Sequence, residues 1–369
     1  MSGAELARCR HKRGRHRYPC PGSISAMFGK YRVKAGGPGT RKTSKKPPQT
    51  SKKDTATRPG GLCCQRTTIT ANSVSMTVSD EFAPPFDVIE PDHWRGPVVF
   101  NSPHSGSVYP RAFLMAARLD HFTLRRSEDS FVDELIAGVV SRGYPMMRAH
   151  FPRCYVDVNR EPYELDPRMF DGRLPSFANT RSMRVAGGLG TVARVVGDAQ
   201  EIYDQRISVD DALRRIESLY KPYHRTLRKL FTRVHMEFGA ALLIDCHSMP
   251  SANGARDDRP RADVVIGDRY GTSCVPVVAE TAEQVLRSLG YSVSRNKPYA
   301  GGFITEHYGN PSAGLHALQI ELNRALYMNE RTHERIASFS RVAADLETLA
   351  DRFAAIPLEE LRPYRAAAE

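Results

Sequence analysis

The chain has 369 residues, 41% of them hydrophobic, which is enough for one large domain or two ordinary ones. No apolar stretch approaches the roughly 20 residues that a spanning helix needs, which excludes a helical membrane protein. The formal charge of +12 would suggest a nucleic-acid partner if it were spread over a folded surface, but its basic surplus is confined to the first 75 residues and the remainder is slightly acidic.

That first segment reads "RCRHKRGRHR" and "KYRVKAGGPGTRKTSKKPPQTSKKD", rich in Lys, Arg, Pro, Gly, Ser and Thr and without an amphipathic period. Such a composition cannot bury enough apolar surface to offset its ordering entropy, so residues 1–78 are expected to be a disordered basic extension. It reads as a nucleic-acid arm, a targeting peptide, or sequence upstream of a true start at Met76, and the last reading is favoured because a domain-like pattern first opens there. The tail is expected to carry no catalysis. The seven cysteines are scattered, Cys63 and Cys64 are adjacent, and no CxxC pair occurs, which argues against a disulfide scaffold and suits a reducing cytoplasm.

From residue 79 to 369 the pattern alternates in the α/β manner, with no repeat and no second shift in composition, so one catalytic domain is expected. Strands are predicted at 97–101, 144–149, 153–158, 241–246, 262–266, 291–295 and 316–322, and helices at about 127–142, 209–238, 272–289 and 329–354. The helix at 209–238 has the clearest period, with Ser208 and Asp211 as a capping-box-like start.

The chemistry gathers at strand ends. "GPVVFNSPHSG" delivers His104 just beyond an apolar run, and "ALLIDCHSMP" delivers His247 in the same way. In open α/β sheets, ligands sit beyond the carboxyl ends of strands. "RRSEDSFVDELI" places Ser127 as an N-cap with Glu128 and Asp129 in the first turn, where acids are favoured by the helix dipole alone. "LQIELNR" holds Glu321 inside an apolar run, a costly place for a carboxylate that is neither paired, bound to metal nor catalytic. Two strand-end histidines, a first-turn carboxylate and a strand carboxylate are the parts of a mononuclear zinc hydrolase, in which three protein ligands leave one position open and a separate Glu moves the proton. Cys246 points away from its neighbours and reads as core. Ser105 lacks a GxSxG elbow, and "GGLGT" (187–191) is no phosphate loop but a turn or a substrate lid.

The blocks "NSPHSGSVYP", "SEDSFVDEL", "YVDVNREPYELDP", "LLIDCHSMPS", "YAGGFITEHYGNP" and "LQIELNRALYM", in this order over about residues 85–355, resemble the N-formylglutamate amidohydrolase family, which cleaves N-formyl-L-glutamate to formate and glutamate in histidine breakdown. The resemblance implies an α/β fold of three layers, a mixed sheet flanked by helices in a zinc-carboxypeptidase-like (phosphorylase/hydrolase-like) architecture. It implies one Zn2+ on His104, His247 and Asp129, with Glu128 as the alternative acid, and Glu321 as general base. Asp245 is placed to orient a ligand or to cap a strand. Because the substrate is a dianion, Arg160 and Arg324 are candidates to grip carboxylates, joined by Asn159, by Gly301 and Gly302 for close backbone approach, and by His307.

The expected partner is therefore a small acidic N-acyl amino acid, with no membrane and no required nucleic acid. A related zinc deacylase with another acyl group or amino acid stays open. So does a basic-tailed nucleic-acid-binding protein on a metal-free scaffold, against which the two histidines and Glu321 weigh.

Overall fold

The three most apolar runs become the parallel centre of a seven-stranded sheet, seen in a computed structural model that describes residues 81–251 and 261–363. The basic extension and Met76 lie outside the described residues. The strands are β1 (Phe86–Ile89), β2 (Val98–Ser102), β3 (Met146–Ala149), β4 (Ala241–Met249), β5 (Val264–Gly267), β6 (Val293–Arg295) and β7 (Leu315–Asn323). Their order is β1-β3-β2-β4-β7-β5-β6. β3, β2, β4 and β7 run parallel, β1 pairs antiparallel with β3, and β5 pairs antiparallel with β7 and parallel with β6.

Alternation of side chains divides the core in two. Val98, Phe100, Leu242, Ile244, Cys246, Leu318, Ile320 and Leu322 face one layer, built from α2 (Pro276–Ser288) and α4 (Phe339–Ala354) through residues such as Val278, Ala282, Leu346 and Phe353. Val99, Ala241, Leu243 and Ala317 face the other, which contains α1 (Lys221–Phe238) and α3 (Phe303–Tyr308). Both faces of the central strands are thus covered, which is why β4 reads as a continuous apolar run rather than an alternating one. The architecture is the expected three-layer mixed sheet, and Cys246 packs in the core of the α2/α4 side.

Several elements differ from their sequence patterns. Residues 153–158 form turns, not a strand, and the apolar side chains that suggested one, such as Val156 and Val158, are buried against α1 instead. The predicted helix at 127–142 is broken into a short helix at Val132–Leu135 and a 3₁₀ turn, and Ser127 does not cap it, its hydroxyl donating to the Leu124 carbonyl. The helix predicted at 329–354 starts at Phe339, because 328–335 fold back as a small hairpin. β1, framed by prolines, was absent from the sequence pattern altogether. The 209–238 helix forms as expected: the Ser208 hydroxyl accepts from the Asp210 and Asp211 amides, and one π turn (Ile216–Tyr220) leads into α1.

Candidate metal centre and active site

Beyond β2 the chain turns sharply and points His104 back over the sheet, where its carbonyl accepts from the Asp129 amide at 3.0 Å. Asp129 lies in the turn before Phe131, whose left-handed backbone (φ 66°) starts the short helix. His247 stands on the α1 face of β4, and the register pairs it directly with Glu321 on β7. All four residues are buried.

The hydrogen bonds fix which atoms are left for a ligand. His104 Nε2 lies 2.7 Å from Asp157 Oδ1, and His247 Nε2 lies 2.8 Å from Asp245 Oδ2. Each imidazole therefore donates its Nε2 proton to a carboxylate, which leaves the Nδ1 lone pairs free. Those two Nδ1 atoms face each other at 3.1 Å, and Asp129 Oδ2 sits 2.9 Å from one and 3.4 Å from the other. Three lone pairs directed at one point repel unless a proton or a cation lies between them. The donor set, two imidazole nitrogens and one carboxylate oxygen within 4.8 Å of one another, fits a divalent metal ion with a position left open.

The electrostatics agree with that reading. Burial alone would raise the Asp129 carboxyl, yet hydrogen bonds to both histidines and the charge of Arg153 hold it well below the usual carboxylate range. Burial likewise opposes the charge on His247, but Asp245, Asp129 and Glu321 outweigh it and raise the metal-free imidazole well above its ordinary value, so that a proton takes the place a cation would fill. Glu321 goes the other way: burial, aided by Asp129 and opposed by His247, Arg153 and Arg324, pushes its carboxyl up to about 7. Gln319 Nε2 donates to Glu321 Oε1 at 2.9 Å and fixes the group's orientation.

A cavity of about 620 Å³ opens over this cluster, lined by His104, His247, Glu321, Asn159, Arg160 and Arg324 among others, with Gly301 and Gly302 on one wall and Gly187, Leu189 and Gly190 of the "GGLGT" turn on another. The structure separates the roles that the sequence left together. Glu128 is turned away from the histidines and accepts from Tyr109 (2.8 Å), Ser130 (3.0 Å) and Arg125 (3.2 Å). Arg324 spreads over Ser248 Oγ, the Arg126 and Glu128 carbonyls and Asp129 Oδ1, so it clamps the Asp129 turn. Asn159 has both amide atoms engaged: Oδ1 accepts from the Ile304 amide at 2.7 Å, and Nδ2 faces Asp245 Oδ2 at 3.4 Å. Gly302 is required by this packing, since a Cβ there would lie 2.4 Å from Asn159 Nδ2. His307 does not reach the cavity; it is exposed, stacks on Phe303 and meets Arg228 through Nε2 at 2.7 Å.

Sequence reasoning passed over Asp157 and Arg153. Asp157 holds His104 and is itself gripped by Arg153 at 2.9 Å, with Arg160 at 3.7 Å; burial would raise its carboxyl, but Arg160, His104 and Arg153 keep it well below the usual range. The signal was available, because a carboxylate inside the apolar "CYVDV" is as costly as one inside "LQIEL". Asn101, which donates to Asp245 Oδ1 at 2.8 Å and accepts from the Tyr223 hydroxyl, completes the support of His247.

Known proteins resemble this chain in sequence and fold. A family model described as N-formylglutamate amidohydrolase matches residues 96–328. An N-formylglutamate deformylase of Pseudomonas aeruginosa is 31% identical over 240 residues, 64% of this chain and 84% of the relative, and one of Pseudomonas putida is 28% identical over 239 residues, 64% and 83% respectively. The crystal structure of an N-formylglutamate amidohydrolase from Ralstonia eutropha is 37% identical and superposes with a TM-score of 0.69, covering 73% of this chain and 97% of that one. Fold and relatives together define a hydrolase acting on an amide bond. The chain belongs to the N-formylglutamate amidohydrolase family.

Proposed function

We propose that this chain hydrolyses N-formyl-L-glutamate to formate and L-glutamate, with a zinc ion held by His104, Asp129 and His247. The observation that carries the reading is the convergence of three ligand lone pairs beside a buried, raised carboxyl, at the floor of an arginine-lined cavity. When bound, the ion polarises the amide carbonyl and acidifies nearby water.

The protein supplies the rest. Glu321 accepts the proton of the attacking water and passes it to the departing amide nitrogen, for which a pKa near neutrality suits both directions of transfer. Asp157 and Asp245 hold the two imidazoles in the tautomer that presents Nδ1. Arg324 fixes the Asp129 turn, and Arg160, in the cavity wall, offers a guanidinium to a substrate carboxylate. Among the described residues the cysteines Cys154, Cys246 and Cys274 are buried and form no disulfide, which suits a reducing cytoplasm, and the family resemblance supports a role in histidine degradation.

Formate release from N-formylglutamate, compared with acetate and carbamate release from the N-acetyl and N-carbamoyl analogues, tests the proposal. A clear preference for the formyl compound is expected; a preference for another acyl group would make the chain a different deacylase on the same fold.

A further inference from the structure

A dianion needs two cationic contacts, and Arg160 supplies one. Five arginines line the cavity, of which Arg153 is paired with Asp157, Arg324 is spent on the Asp129 turn, and Arg126 has contacts of its own. Arg184 differs. It stands on the short helix Met183–Ala186 beside the cavity, and among the described residues its one hydrogen bond, from Nη1, goes to the Asn159 carbonyl at 3.4 Å. Arg160 Nη1 donates to that same oxygen at 2.9 Å. Two guanidinium groups thus crowd one neutral carbonyl, and among the described residues no carboxylate lies within ion-pair distance of Arg184. Arg184 also works electrostatically against the charge of Arg160. Like charges held side by side in a cavity wall, with the Nε and Nη2 donors of Arg184 unused among the described residues, form an anion site.

We propose that Arg184 reads the side-chain carboxylate of the substrate and so determines specificity for an acidic amino acid, while Arg160, which reaches Asp157 behind the metal cradle, takes the α-carboxylate nearer the scissile amide. The assignment rests on the N-formylglutamate reading. Met183–Ala186 leads directly into Gly187, Leu189 and Gly190, and the Leu189 carbonyl accepts from Arg160 Nε at 3.0 Å. An anion bridging the two arginines therefore ties this rim segment to the cavity floor.

The test compares kcat/KM for N-formylglutamate and for N-formylglutamine, which keeps the shape and loses the side-chain charge, in wild type, Arg184→Lys and Arg184→Met. A hydrogen-bonded charge of this kind is worth roughly a 10- to 150-fold loss on N-formylglutamate for Arg184→Met, with little change on N-formylglutamine and a partial loss for Arg184→Lys, which keeps charge without the fork. Equal losses on both substrates, or no loss on N-formylglutamate, would overturn the assignment. If wild type turns over neither compound, the functional reading fails, and calorimetry with glutarate decides the anion site by itself: binding to wild type that Arg184→Met abolishes upholds it, and equal binding to both rejects it.

Discussion

Glu321 is the residue whose environment and proposed task can be separated experimentally. Its carboxyl is buried, bonded through one oxygen to Gln319, and raised to about 7. Replacing it with Gln keeps the shape and the Gln319 contact, removes the proton acceptor and leaves all three ligand atoms in place. Glu321→Gln is therefore expected to keep its metal while kcat falls by about 10²- to 10⁴-fold, read by metal analysis and formate release on the same preparation. Loss of the metal would make Glu321 a ligand instead. The residues legible in the sequence were those where chemistry sits at an abrupt boundary: His104 and His247 end apolar runs, and Glu321 interrupts one. Asp157 interrupts an apolar run in the same way and carried the same signal, but its segment reads as a strand while the fold makes it a turn beneath His104. Arg324 and Arg160 could not be told apart, since only the fold shows that Arg324 holds the Asp129 turn while Arg160 lies beside Asp157 and the Leu189 carbonyl.

At the level of elements, the long buried strands and the helices with a clean 3.6-residue period follow from the sequence, whereas the segments that carry ligands do not. The predicted helix at 127–142 is interrupted because Asp129 must face the histidines, and the turn that achieves this places Phe131 in the left-handed region, a local cost offset by the clamp of Arg324 on the Glu128 carbonyl. The turns at 153–160 are held in place by α1 and the π turn before it. Tyr220 donates to the Arg160 carbonyl at 2.7 Å, and His224 Nε2 lies 2.8 Å from the Val158 carbonyl. Burial lowers His224 to about 4, so the folded protein keeps it neutral where the unfolded chain, with an ordinary imidazole near 6.5, takes up a proton. The stability that depends on this neutral form is present above pH 6.5 and is lost as pH falls toward 4. His224→Gln, which retains a donor for Val158, is expected to flatten the decline of Tm between pH 6.5 and 4. The difference should approach about 1.4 kcal/mol per pH unit, or about 2–4 °C for each kcal/mol. Parallel declines in the two proteins, followed by calorimetry, would show that His224 does not set the acid sensitivity of this support.

For the molecule as a whole, the basic surplus behind the net charge of +12 lies in the first 75 residues, upstream of the family match at residues 96–328. The remainder of the chain is slightly acidic, so the proposed dianionic substrate would be attracted by the arginines of the cavity and not by the net charge. A chain beginning at Met76 is therefore expected to fold and to release formate with the kcat/KM of the full chain; an insoluble or inactive product would move the domain boundary upstream. The central claim, that an amide is hydrolysed at an ion held by His104, Asp129 and His247, is tested most directly by metal removal and return. Dialysis against a chelator should abolish formate release, and about one equivalent of zinc should restore it in wild type but not in His247→Ala, which lacks one of the three ligands. Full turnover in chelated protein containing no detectable metal, or equal restoration in His247→Ala, would contradict the account.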